Sequence, residues 1–137
     1  MVGERPLVVH DGAHNPSGAR ALAESLGDVL GERRPRVGVI GVLEDKDAAG
    51  MLRELLPQLD HVVFTRSVNP RSLPPATLQS LAAQLGGPPS TVVASPHRAV
   101  ESARELAGPE GAVLVTGSIY LIADLVRDVG GARASRL

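Results

Sequence analysis

A single α/β domain around a mostly parallel sheet is the fold this sequence predicts, and three observations carry the prediction. Short apolar runs rich in β-branched residues recur five times, as "LVVHD", "RVGVIGVL", "HVVFT", "TVVAS" and "AVLVTG". Each run is bounded by turn residues and separated from the next by a segment of helical period, and such alternation makes successive strands parallel. The length of 137 residues and 43% hydrophobic content suit one core of ordinary domain size.

The elements follow in order. After "LVVHD", Asn15 is placed to cap a helix and Pro16 suits its first turn. Along that helix Ala19, Leu22, Ala23, Leu26, Val29 and Leu30 share one face, with Arg20 and Glu24 paired four residues apart on the other. A second helix carries Ala48, Met51, Leu52, Leu55 and Leu56 before Pro57 ends it. The third carries Leu78, Leu81, Ala82 and Leu85 up to "GGPP". Ser95 and Pro96 begin a weaker fourth with Val100, Ala103 and Leu106. The fifth, after Ser118, is apolar on nearly every side through Ile119, Leu121, Ile122, Leu125 and Val126, and is expected to be the most buried. The domain is read as residues 1–130, with 131–137 a frayed tail.

Composition excludes several kinds of function. A net charge of -1, with Lys46 the sole lysine among 14 cationic side chains, gives no basic field for nucleic acid or an anionic membrane. Phe64 and Tyr120 are the only aromatic residues, too few for a base-stacking platform. There is no Cys, hence no disulfide and no thiolate chemistry. Without an apolar run of spanning length or a signal-peptide core, a cytoplasmic protein is expected. No G-x-x-x-x-G-K-[ST] occurs, since Lys46 follows Asp45, and Gly12 and Gly18 are spaced wrongly for a dinucleotide fingerprint.

The polar residues are distributed unevenly between the two ends of the strands. Loops entering strands read "GERRPR", "PQLD", "GGPPS" and "AGPEG", which is turn chemistry. Loops leaving them read "DGAHNP", "LEDKD", "TRSVNPRSLPP", "ASPH" and "TGSIY", holding His14, Lys46, Arg66, Arg71, His97 and small residues. Open parallel sheets bind ligands outside the carboxyl ends of their strands, so this rim is the expected binding edge.

"HDGAH" admits three readings. A metal cluster is disfavoured, because His10 and Asp11 face opposite ways from a strand. An Asp-Gly and Asn-Pro turn into a helix is common in its own right. Asp11 and His14 also project beside a helix N-terminus, where free N–H groups favour an anion such as a nucleotide or carboxylate. Lys46 is either a surface residue held by Asp45 and Asp47 or a reach toward a phosphate, and Arg71 either stabilises its loop or grips a carboxylate.

Taken in order, "DGAHNP", "GVLEDKD", "NPRSLP" and "TGSIY" resemble the C-terminal domain of the folylpolyglutamate synthase and dihydrofolate synthase family, relatives of the Mur ligases, from Leu7 to about Val129. The resemblance implies a three-layer α/β/α Rossmann-like sheet of five to six strands, with the fifth strand between the first two. It implies a lid domain of an ATP-dependent amide ligase that adds L-glutamate to dihydropteroate or folate through an acyl phosphate. ATP and Mg2+ would serve the complete enzyme, whose N-terminal P-loop ATPase domain is the expected partner, and the isolated domain would be inactive and bind neither tightly. By the same resemblance Asp11 and His14 would contact ATP, and His14, Ser118, Lys46 and Arg71 would contact glutamate or phosphate, with no metal ligand and no catalytic residue in this chain. The competing readings are a free-standing nucleotide or amino-acid binding module, a structural domain without ligand, and the C-terminal domain of a Mur peptidoglycan ligase.

Overall fold

The last strand of the chain lies between the first two. In the computed structural model, which describes residues 6–136 and side chains through residue 127, the order of elements is β1 (Leu7–His10), α1 (Pro16–Leu30), β2 (Arg36–Ile40), α2 (Ala48–Leu55), a 3-10 turn (Leu56–Gln58), β3 (His61–Phe64), α3 (Pro75–Gln84), β4 (Ser90–Val92), α4 (Pro96–Ala107), β5 (Ala112–Thr116) and α5 (Ile119–Arg136). The strands form one sheet in the order β1-β5-β2-β3-β4, every pair parallel. The expected placement of the fifth strand therefore holds, and it sets the exits of β1 and β5 side by side.

The sheet is covered on both faces, and period-two alternation decides which side chain goes where. Ile40, Val62, Phe64, Ala112 and Leu114 face one way and pack on Leu22 and Leu26 of α1, Met51, Leu52 and Leu55 of α2, and Leu78 of α3. Val37, Val39, Val63, Val113 and Val115 face the other way and pack on Ala99, Ala103 and Ala107 of α4 and on Leu121 and Leu125 of α5. The central strands β2 and β5 are buried along their whole length.

Helix α1 begins as its sequence dictates: the Asn15 side chain accepts the Gly18 N–H at 2.7 Å, Pro16 follows, and Gly31 closes the helix at φ 62°. Asp47 caps α2 by accepting from Gly50 N–H at 2.9 Å, and Ser95 caps α4. Three helix faces depart from expectation. Val29 is exposed, because the buried stripe of α1 is the narrower Ala19, Leu22, Leu26, Leu30 set. In α4 the stripe is Ala99, Ala103 and Ala107, which lets the helix approach the sheet closely, and Leu106 points outward.

Helix α5 is not the most buried. Leu121 and Leu125 reach the core, but Ile119 and Val126 are each 54% exposed and Tyr120 is 45% exposed. Only one stripe of a helix can face a sheet, so apolar residues outside it stay uncovered whatever their type. The helical backbone continues to Arg136, over most of the stretch 131–137 read as a tail, while residue 137 and the side chains after Arg127 lie outside the described residues. No described helix is long and apolar enough to cross a membrane.

Candidate functional site

The exits of β1, β2, β3 and β5 converge on one rim, tied together by backbone hydrogen bonds that continue past the strands. Asp11 N–H donates to the Val115 carbonyl at 2.9 Å, and Gly117 N–H returns to the Ala13 carbonyl at 3.1 Å, stitching "DGAHNP" to "TGSIY". Gly41 N–H donates to Thr116 O at 3.4 Å, joining the β2 exit to the β5 exit. Gly117 makes this approach possible: at φ 109° it sits where a side chain would fall on the Gly41 carbonyl oxygen.

Between these exits lies a cleft of about 210 Å³ lined by His14, Leu43, Asp45, Lys46, Arg71, Gly117, Ser118, Ile119 and Tyr120. Four of the five residues expected to bind ligand share it. Ser118 is buried and its Oγ accepts the Tyr120 N–H at 3.1 Å, which caps the start of α5 and leaves the hydroxyl hydrogen to donate. His14 is exposed, with Nδ1 3.0 Å from the Gly12 carbonyl oxygen. A carbonyl only accepts, so Nδ1 carries a proton and Nε2 is left to meet a ligand.

Asp11 is the exception. It stands half-buried at the β1 exit, its Oδ1 accepts the Ala13 N–H at 2.9 Å, and it is not among the residues lining the cleft. One carboxylate oxygen is thus spent on the turn and Oδ2 remains for an outside donor.

The surroundings of Lys46 and Arg71 differ from the simplest reading of "DKD". Asp45 does not hold Lys46. It pairs with Arg71 at 2.8 Å, an exposed ion pair, and Asp47 is committed to the α2 cap. Among the described residues Lys46 forms no ion pair, and it lines the cleft.

Arg71 is held through its backbone as well as through the Asp45 pair. Glu44 N–H donates to its carbonyl at 2.7 Å, Leu73 N–H donates to Val42 O at 2.9 Å, and Leu43 and Ser72 form an antiparallel bridge between the β2 and β3 exits. Asn69 Oδ1 accepts the Arg71 N–H at 2.8 Å, and the buried hydroxyls of Ser67 and Ser72 meet at 2.8 Å. Reading the residues in sequence assigned Asn69 no role. Its Asn-Pro context was the available signal, since Asn side chains characteristically bond backbone two residues on. The contributions of Asp45, Ser67, Ser72 and Gly117 were likewise missed.

A larger hollow of about 380 Å³ opens on the other side of the molecule, between α2, the 3-10 turn and the end of α3, but its lining is apolar apart from Arg53. It contains none of the converging polar groups that mark a ligand site. Nor does any group of His, Cys, Asp or Glu among the described residues have the arrangement to hold a metal ion.

Comparison with known proteins agrees with this architecture. Residues 1–119 match the family model described as Mur ligase, glutamate ligase domain. A dihydrofolate synthase/folylpolyglutamate synthase of Mycobacterium tuberculosis is 45% identical over 83 residues, 61% of this chain and 17% of that protein. Its Escherichia coli namesake is 33% identical over 134 residues, 98% of this chain and 30% of that protein. Among solved structures, a Mycobacterium tuberculosis folylpolyglutamate synthase complexed with ADP superimposes with a TM-score of 0.79 at 33% identity, covering 89% of this chain and 29% of that one. The chain thus spans less than a third of the length of each of these relatives.

Proposed function

The chain belongs to the Mur ligase glutamate ligase domain family, and from that premise we propose that it is the C-terminal lid of an ATP-dependent amide ligase adding L-glutamate to dihydropteroate or folate. The observation that carries the reading is the single cleft shared by His14, Lys46, Arg71 and Ser118 at the carboxyl rim of the sheet. The curated relatives are named for folate ligases, which favours that substrate class over a peptidoglycan precursor.

In this reading the γ-phosphoryl group of ATP passes to a substrate carboxylate, giving an acyl phosphate and ADP. The glutamate amine then attacks the acyl carbon, the amide C–N bond forms, and inorganic phosphate leaves with the C–O electron pair. An acyl phosphate is lost to any stray water, so the site must close during turnover. The exposed apolar side chains of Ile119 and Tyr120 on the cleft rim suit a surface that a second domain covers. That second domain supplies the P-loop absent from these 137 residues. Magnesium would accompany the ATP phosphates that the P-loop holds.

Arg71 takes a glutamate carboxylate, exchanging its contact with Asp45 for the ligand. Lys46 and the Ser118 hydroxyl, beside the N-terminus of α5, face the phosphate. His14, on the same cleft, contacts the phosphates or the incoming glutamate through Nε2. Asp11 offers Oδ2 to the ribose hydroxyls from outside the cleft, so it acts on ATP alone.

The test is turnover by the chain joined to its P-loop domain, supplied with ATP, dihydropteroate and radiolabelled L-glutamate. Labelled dihydrofolate is expected from the joined protein and none from the 137 residues alone. Asp11→Ala should raise the KM for ATP about tenfold or more while leaving that for glutamate within about twofold. Equal effects on both substrates would remove Asp11 from the nucleotide, and absence of labelled product would overturn the reading as a whole.

A further inference from the structure

Helix α5 carries a buried carboxylate that no part of this chemistry uses. Asp124 is 5% exposed, and Arg36 is the only other charged side chain buried among the described residues. Its Oδ2 accepts the backbone N–H of Val68 at 2.8 Å, across 56 positions of sequence, and its Oδ1 pairs with Arg127 at 2.6 Å. Val68 lies in the β3 exit loop that carries Arg71, and α5 is the helix that starts beside Ser118. One side chain therefore links the two walls of the cleft.

We infer that Asp124 is a positioning residue that fixes the Arg71 loop against the Ser118 end of α5, so that both walls meet an anionic amino-acid substrate in register. The inference rests on the reading of the cleft as a glutamate site. A loop bound only at Asn69, Ser67 and Ser72 would be ordered within itself yet free to shift as a unit, because those bonds are internal to it or run to the hydroxyl of a neighbour. The Glu44 and Leu73 contacts tie its far end to the β2 exit. The Val68 bond is the contact on the α5 side. Charge strengthens it: Asp124 is 5% exposed, a carboxylate makes a stronger bond to an N–H than a neutral acceptor does, and truncating it takes from the Val68 N–H the acceptor that ties this loop to α5. Since α5 is rigid over the residues from Ser118 to Asp124, whatever holds Val68 also fixes Arg71 relative to Ser118.

The experiment uses the ligase joined to its P-loop domain, with L-glutamate as the probe, and compares Asp124→Ala, Asp124→Asn, Arg71→Ala and the Asp124→Ala/Arg71→Ala double variant. Asp124→Ala is expected to raise the KM for L-glutamate about tenfold while kcat and the KM for ATP stay within about twofold. Asp124→Asn keeps an oxygen for the Val68 N–H and should recover most of the loss. In the Arg71→Ala background the further effect of Asp124→Ala should fall below about twofold, because the loop then has no guanidinium to place. Full additivity of the two changes, or an Asn variant no better than Ala, would overturn the inference by reducing Asp124 to a general stabiliser. Hydrogen exchange at the Val68 and Arg71 amides gives the second readout, expected to accelerate at both positions in Asp124→Ala. Should the parent enzyme show no dependence on glutamate, the cleft reading fails by itself; exchange then decides on the Asp124 anchor, and an unchanged Arg71 amide would end it.

Discussion

Lys46 stands between two carboxylates that are both engaged elsewhere, Asp45 with Arg71 at 2.8 Å and Asp47 with the Gly50 N–H at 2.9 Å. The Asp45–Arg71 pair is exposed on both sides, so it contributes on the order of 0–1 kcal/mol to folding. A contact that weak is easily exchanged for a ligand carboxylate, whereas the Lys46 ammonium has no ion pair to exchange among the described residues. Lys46→Met should therefore leave the unfolding free energy within about 0.5 kcal/mol of the parent by chemical denaturation. Its kcat in the joined ligase should fall at least about tenfold, the loss of one charge-assisted contact to a transferring phosphoryl group. A stability loss above about 1 kcal/mol with unchanged kcat would make Lys46 structural. At this scale legibility tracked sequence distance. Asn15 and Ser95 act on backbone three residues on, and local rules find such caps, whereas Asp47, read as a partner of Lys46, caps α2 instead. Asp124 acts on Val68, 56 residues away, and no local pattern encodes that pairing.

Elements explain why the rim is tight and why it tolerates so little. α1 and α2 meet where Gly50, in the first turn of α2, leaves no room for a side chain: an added Cβ would stand 2.5 Å from Asp47 Oδ2 and 2.8 Å from Pro16 Cγ. In an exposed helix Gly→Ala gains about 1 kcal/mol, but overpacking against a rigid proline ring costs about 1–3 kcal/mol and disturbs the Asp47 cap as well. Gly50→Ala is accordingly expected to lower stability by about 1–2 kcal/mol, seen as a lower melting temperature by circular dichroism, and a rise would show that α1 and α2 can separate freely. The strand pattern was readable because β2 and β5 are central in a parallel sheet and near-continuously apolar. Helix faces were read less well. In α5 every apolar residue looked like core, yet Leu121 and Leu125 are buried and Ile122 packs beside them half-buried, while Ile119 and Tyr120 were left at the cleft rim. Periodicity reports that a stripe exists; which stripe is covered depends on the neighbours, here β5 and α4.

For the whole molecule the candidate ligand rim lies at the carboxyl ends of the strands, while the shifted titratable groups lie at both ends, Asp60 and His61 at the start of β3 and His10 at the end of β1. Asp60, ahead of β3, is held below the usual carboxylate range: burial acts to raise it, but the Arg36 N–H at 2.7 Å and the Arg34 guanidinium at 3.0 Å prevail. His61 opens β3 and His10 ends β1, and burial lowers both, favouring their neutral rings. These shifts set the sign of the acid response. A histidine lowered in the folded state takes up its proton more readily when unfolded, so below the unfolded value of about 6.5 stability falls with pH until the folded value is passed. A carboxylate depressed in the folded state contributes stability above its unfolded value of about 3.9, and that contribution disappears as pH falls through the lower folded value. The melting temperature measured against pH should therefore decline in two separated steps, the first beginning near pH 6.5 and the second below about pH 4. His61→Gln should shrink the first step and leave the second intact. Asp60→Asn should lower the melting temperature at neutral pH and abolish its own share of the second step. With Asp60 still 42% exposed and screened by water, that share stays small. A melting temperature flat from pH 7 to 5 would mean that His10 and His61 titrate alike in the folded and unfolded chain, and that the ends of β1 and β3 are wetter than their packing shows.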